Sequence, residues 1–458
     1  MSLRTTGLSG AVLIFIFLIT LPLDYLLASA FDGSVKKSLN HLLENNRDFK
    51  KSTADWKVAR QNVRSASSAA FPSINFDGGF TRLGNIQSFS FDQDENDNEP
   101  PVELDVASEN MYKATLSIQQ QLFSGRVFGA IRVAKSYQQA ADAQILVANN
   151  RLIRDYLTAY ALAEMLSSIK DVNEQMVEYT RSHFEEAKLL HEIGATDNYA
   201  LLRAEVEHLN SIPAYRESEK SYRAALSHLK LMLDLDESDI LSIGSFDVWL
   251  EPQDDQELLY MRAERNRPEI VGAENIAEAY KRAIMVFRAG RLPSVSGFGN
   301  YERQNQWDLF SQKDIWNNSW TAGINIRIPI FNGYATSAQI QKGRLDYAKA
   351  SEDESILKDA IRNEVQLAND DYIRSSADFE AWFRNVDLAS EGFEIAQLRW
   401  SSGDGSELEL RDARIALQSA KANLSRANFD KLRAKIELLF AIGLIENVVI
   451  IETQNNGK

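Results

Sequence analysis

One plan is written twice along this chain, and that repetition limits its fold more than any other feature. Asn46-Arg47-Asp48 is answered by Asn266-Arg267-Pro268-Glu269, and Phe71-Pro72-Ser73-Ile74 by Leu292-Pro293-Ser294-Val295, with 221 residues between the two prolines. Leu122-Phe123-Ser124-Gly125 is answered by Ile330-Phe331-Asn332-Gly333 at 208 residues, and Gly194 by Gly403 at 209. Self-similarity of this kind means two copies of one structural unit. The spacing shortens by 13 residues between the proline and the Phe-x-Gly marks, so the first copy carries an insertion. Asp92–Asp105 is the expected place. It holds seven acidic residues and Pro100-Pro101, which reads as a solvated loop.

Each copy runs through the same elements. A helical stretch comes first, over Asp32–Ala70 and over Gln256–Gly290. Two strands follow, about 73–83 and 113–122 in the first copy, 294–304 and 319–329 in the second. Trp320, Ala322, Ile324, Ile326 and Ile328 alternate with Thr321, Gly323, Asn325 and Arg327. Ile74, Phe76, Gly78 and Phe80 alternate with Ser73, Asn75, Asp77 and Gly79. A period of two gives one greasy face and one wet face. About ten residues is what a tilted strand needs to cross a bilayer. Trp307, Trp316 and Trp320 lie in or beside the second hairpin, as aromatic residues do at a membrane interface. An ordinary soluble hairpin with one half-buried face is the competing reading.

After each Phe-x-Gly a very long helix begins. Nine prolines serve the whole chain, none between Val102 and Ile212 and none after Pro329. Arg126 to Ile193 is 68 residues with one glycine, roughly 100 Å of helix. Ile131, Ala134, Tyr137, Ala141, Ile145, Ala148, Leu152 and Tyr156 recur in steps of three and four, which suggests a left-handed coiled seam. Gly194-Ala195-Thr196-Asp197 turns the chain, and the return helix runs to about Leu233 with a kink expected at Pro213. The second copy climbs from Tyr334 to Trp400, turns at Ser402-Gly403-Asp404-Gly405-Ser406 and returns to about Ile442. The resulting division is 31–250 for the first repeat (helical hairpin about 126–233), 251–443 for the second (helical hairpin about 334–442), and 444–458 as a C-terminal tail.

The segment ahead of the repeats is expected to be an address. Arg4, the 13-residue apolar core Ala11–Leu23 and Ala28-Ser29-Ala30 read as a signal peptide over 1–30. No later run reaches the length of a membrane helix, so entry into a membrane would be through strands. A formal charge of -15 counts against nucleic-acid binding. The absence of cysteine excludes disulfides, thiolate metal sites and cysteine nucleophiles.

No catalytic motif is found. His191-Glu192 lacks a second histidine at zinc spacing, and neither a G-x-x-x-x-G-K-[ST] loop nor a G-x-S-x-G elbow is present. His183 and His191 read as solvent-exposed helix residues. No enzyme activity and no cofactor are implied.

The strands then decide the architecture. Four strands cannot close a barrel, for which about eight are needed. Bare strand edges are not tolerated in lipid. The sheet must therefore be shared between copies: two give eight strands with a filled interior, three give twelve with room for a lumen.

The duplicated helix–hairpin–helix plan, Pro329-Ile330-Phe331-Asn332-Gly333 with its partner Gln121-Leu122-Phe123-Ser124-Gly125, and Asn266-Arg267-Pro268-Glu269-Ile270 resemble the TolC family of outer-membrane channels. That resemblance implies a mainly α fold with a small β part. It implies a homotrimer whose 12-stranded barrel, set in outer-membrane lipid, continues into an α-helical periplasmic tunnel. Such channels are passive exit ducts for tripartite efflux pumps or type I secretion. They dock a periplasmic adaptor (membrane fusion) protein and a proton-driven or ATP-driven inner-membrane pump at the helical tips. In the family a glycine, an acid six positions on and an alanine ten positions on mark the periplasmic gate. Gly403, Glu409 and Ala413 match, with Asp412 at a second acidic position and Trp400 at the aromatic one. Gly405 stands where the family places an arginine, so Arg411 or Arg414 would have to substitute. In the first copy Gly194 and Ala204 match, but Ala200 replaces the acid and Asp197 is the nearby carboxylate. The resemblance thus puts Glu409, Asp412, Trp400 and Arg411 at the constriction. It puts Gly194, Thr196, Asp197, Gly403, Gly405 and Ser406 at the turns that meet the adaptor. Two other readings stay open from the residues alone, a periplasmic coiled-coil structural or adaptor protein without a pore, and an exported hydrolase.

Overall fold

The computed structural model describes residues 30–31, 34–91, 102–250, 255–308 and 313–453. The expected signal peptide lies almost wholly outside the described residues. In chain order the elements are β1 (Ala30–Phe31), α1 (Val35–Asn45), α2 (Arg47–Ser68), β2 (Ser73–Arg82), β3 (Ser88–Phe91), β4 (Val102–Asp105), β5 (Asn110–Phe123), α3 (Gly125–Glu192), α4 (Asn198–Leu233), β6 (Ile240–Leu241) and β7 (Ser245–Val248). The second half holds α5 (Gln256–Asn266), α6 (Pro268–Arg288), β8 (Ser294–Asp308), β9 (Lys313–Arg327), α7 (Ala335–Ser401), α8 (Glu407–Ala441) and β10 (Ile450–Thr453). The protein is mainly helical with a small sheet, and α1-α2-β2-β5-α3-α4 is matched in order by α5-α6-β8-β9-α7-α8.

The four long strands form one antiparallel sheet in the order β2-β5-β8-β9. Register decides what each face carries, because paired residues point the same way. One face holds the row Phe76, Leu116, Tyr301, Trp320 and the next row Ile74, Ile118, Gly299, Ala322. The other face holds Asn75, Ser117, Asn300, Thr321 and then Asp77, Thr115, Glu302, Ser319. The alternation read from sequence is therefore continuous across both hairpins. A soluble hairpin would bury one face, yet every residue of β2 is exposed and every residue of β9 except Gly323. Phe76 and Trp320 are 73% and 76% exposed.

Several elements differ from the sequence reading. The opening helical stretches are each two helices. Asn46 breaks the first, its side chain accepting a bond from the Phe49 N–H at 3.0 Å and so capping α2. Arg267 breaks the second, with Pro268 at the first position of α6. The acidic insertion is not all loop: Val102–Asp105 pairs antiparallel with Ser88–Phe91, and its residues 92–101 lie outside the described residues. Residues 445–453 are not a tail. β10 pairs with β7, and Ile445 and Ile450 sit in the core. The α4 helix continues through Pro213. The α3 seam keeps its expected period, and Tyr156 is buried as expected, but the first turns are out of phase: Ser136, Ala140, Ala143, Val147 and Asn150 are buried while Tyr137 is exposed. One residue of slip turns a helix by about 100°, and close approach of flanking helices selected small residues there.

The main core lies at mid-length, where α1, α3, α4 and α8 meet β7 and β10. Tyr156, Leu157, Leu229, Leu233 and Ile436 fill it. Beside it Arg267 is 5% exposed. Its guanidinium bonds Glu269 at 3.0 Å, Glu364 of α7 at 3.0 Å and the Phe440 and Ala441 carbonyls at the end of α8. It also lies 4.9 Å from the Phe440 ring centroid. Gly443, with φ +74, abuts it; an added Cβ would fall 2.8 Å from the Asn266 carbonyl carbon. One side chain thus ties the α5–α6 break to α7 and α8. Removing one partner of a buried ion pair leaves a stranded charge. Arg267→Ala should therefore destabilise the fold by about 3–5 kcal/mol, seen as a lower midpoint in thermal unfolding followed by circular dichroism. An unchanged midpoint would show the hub to be dispensable.

Candidate functional site

The two helical hairpins end in turns built alike. Gly194 (φ +73) and Gly403 (φ +82) close α3 and α7 in the left-handed conformation that only glycine adopts freely. Asp197 caps α4 through the Ala200 N–H at 2.8 Å. Ser406 caps α8 through the Glu409 N–H at 3.2 Å, and the Glu409 carboxylate accepts the Ser406 N–H at 3.5 Å, a reciprocal capping box. His191 Nδ1 lies 3.2 Å from the Thr196 carbonyl, pinning the first turn.

The tips meet around a cavity of about 280 Å³ lined by Tyr179, His183, Thr196, Trp400, Glu407 and Arg411. Glu409 is held within its own hairpin, 3.7 Å from Arg399 as well as in its cap. Arg411 bonds Glu207 of α4 and Asp412, both at 3.2 Å, and so joins the two hairpins. An Arg cannot stand at Gly405: an added Cβ would lie 2.9 Å from the Trp400 backbone nitrogen and 3.0 Å from the Arg399 carbonyl carbon. Trp400 and Arg411 thus line one cavity with Thr196, and Asp412 contacts Arg411. Glu409 lies beside them on the α8 cap.

Sequence reasoning passed over two charged partners here. Arg399 and Glu207 supply the charges that face Glu409 and Arg411. The basic residue in the last turn of α7, where the helix dipole favours a cation, was the readable signal for Arg399. His183 and His191 are not free helix residues as expected. His183 stacks on Tyr179 and its Nε2 lies 3.6 Å from Glu407 of the other hairpin. Arg414 lies 3.1 Å from the Tyr179 ring centroid and 4.6 Å from that of Phe393. Burial holds its guanidinium below the ordinary arginine range, against the pull of Tyr179. Burial likewise raises the Tyr179 hydroxyl.

Among the described residues no group of three acidic or histidine side chains is placed to hold a metal ion. Among them no helix is long and apolar enough to cross a membrane. The membrane-length features are the strands.

Residues 38–233 and 259–444 match the family model described as outer membrane efflux protein. The chain is 21% identical to the outer membrane protein TolC of Vibrio cholerae, over 96% of this chain and 97% of that one. It is 25% identical to the cation efflux system protein CusC of Escherichia coli, over 90% and 87%. The fold is that of the Campylobacter jejuni CmeC outer membrane channel, with a TM-score of 0.72 at 18% identity over 89% of this chain and 85% of that one. The two matched stretches are the two repeats, so this chain belongs to the outer membrane efflux protein family and serves as an outer-membrane exit duct.

Proposed function

We propose that three copies of the chain close one barrel of twelve strands, four from each, and that their helical hairpins continue it as a periplasmic tunnel. The observation that carries this is the sheet, which has one apolar face, one polar face and bare edges at β2 and β9. Closing the ring pairs β9 of each copy with β2 of the next and turns the apolar rows to lipid and the polar rows to the lumen. The reading without a pore would leave Phe76, Trp320 and Ile324 in water. Detergent-extracted protein should have the mass of three copies by light scattering, and a single-copy mass would exclude the ring.

At the far end the tip turns form the periplasmic gate and meet the adaptor protein, with an inner-membrane pump supplying the energy. Copies of Glu409 and Asp412 around the axis draw cations to the mouth. Glu409→Ala with Asp412→Ala should move the reversal potential in asymmetric salt toward zero in planar bilayers; an unchanged potential would remove these residues from the constriction. Arg411, rather than a residue at 405, links the hairpins in the closed tip. A partly exposed ion pair is worth up to ~1 kcal/mol, so Arg411→Ala should raise the open probability by up to about fivefold. Single-channel recordings with unaltered dwell times would assign closure elsewhere.

A further inference from the structure

Between the two helical hairpins stands a cation with no acid set against it. Arg414 of α8 has its guanidinium carbon 3.1 Å from the Tyr179 ring centroid on α3 and 4.6 Å from that of Phe393 on α7. Its Nε is shut off from solvent and has no hydrogen-bond partner among the described residues. A charged donor placed in this way costs free energy until an acceptor answers it. Arg411, one turn earlier on the same helix, is answered by Glu207 and Asp412. The repeat plan does not require the cation either. At the 209-residue offset of Gly194 and Gly403, Arg414 corresponds to Glu205 and Lys421 to Ile212, while the ring of Phe393 is kept in Phe184.

Arg414 and Lys421 both line a cavity of about 170 Å³. Two helices give it the same kind of face: Val172, Gln175 and Met176 lead up to Tyr179 on α3, and Leu417 and Gln418 lie between Arg414 and Lys421 on α8. Steps of three and four put each set on one side of its helix. Val172, Met176 and Leu417 offer an apolar wall, and the two amides offer donors. Lys421 is an exposed second cation. Among the described residues no acidic side chain lines this cavity, although the chain as a whole carries a formal charge of -15. A cavity of about 150 Å³ holds a benzene molecule. We propose that this cavity binds an organic anion with a body of about one aromatic ring, its carboxylate or sulfonate on Arg414 and Lys421 and its ring among Val172, Met176 and Leu417. The planar guanidinium suits a two-oxygen acceptor of this kind. The ligand touches α3 of one hairpin and α7 and α8 of the other, so its binding favours the arrangement in which the hairpins stay together. The site lies within one chain and stands whether or not three copies close a barrel.

The probe is para-fluorobenzenesulfonate, titrated into the full-length protein in non-ionic detergent and followed by fluorine NMR line width. Its signal should broaden and saturate. The neutral para-fluorobenzenesulfonamide, which keeps the ring and loses the charge, should bind about tenfold more weakly or worse. Inorganic sulfate, which keeps the charge and loses the ring, should displace the probe only at about tenfold higher concentration or more. Arg414→Gln should weaken the sulfonate by about tenfold or more. Lys421→Gln, at an exposed position on which the fold does not depend, should weaken it by up to about fivefold. Sulfonate held equally well by both variants and the unaltered chain overturns the site, and so does a sulfonamide that binds as tightly. Sulfate that displaces the probe at equal concentration overturns the organic class of the ligand. Should Arg414→Gln lose its helical circular dichroism, Lys421→Gln decides alone, and an unchanged affinity there overturns the proposal.

Discussion

Everything in this molecule follows from a four-stranded sheet that is finished on neither edge and covered on neither face. Backbone N–H and C=O groups at β2 and β9 need partners, and in lipid water cannot supply them. The helices do not pack on the sheet; they continue from its ends at Phe123 and Arg327. The outer strands β2 and β9 therefore gain nothing from a conventional core. In the proposed ring each face of the barrel would meet a single medium, which accounts for the separation of polar from apolar rows.

Stability lies instead at mid-length, away from both the sheet and the tips. There Arg267 satisfies two carboxylates and two terminal carbonyls of α8 at once, and Gly443 lets the backbones approach. Such a hub holds the short helices against the long ones while leaving the hairpin ends free of large cores. The tips are joined by polar and aromatic contacts, among them Arg411 with Glu207 and Arg414 on Tyr179. Contacts of this type are individually modest.

The acid six residues after Gly403 has a local purpose. Glu409 is the third helical residue of α8 and completes the box with Ser406. An acid at that position is favoured by the helix start alone. Asp412, facing Arg411, lacks that local reason.

Read alone, the residues determined the two repeats, the long helices, the face alternation of the strands and the positive-φ glycines at both tips. Each of these depends on a local rule, such as the period of a helix or strand or the freedom of glycine. The breaks at Asn46 and Arg267, the phase of the α3 seam, the pairing of β10 with β7 and the partners of Arg411 came only from tertiary structure. The reason is physical: periodicity says that a helix has a buried face, but the neighbours decide which one. A strand such as Ile450–Thr453 becomes a strand only beside a partner some 200 residues earlier in the chain.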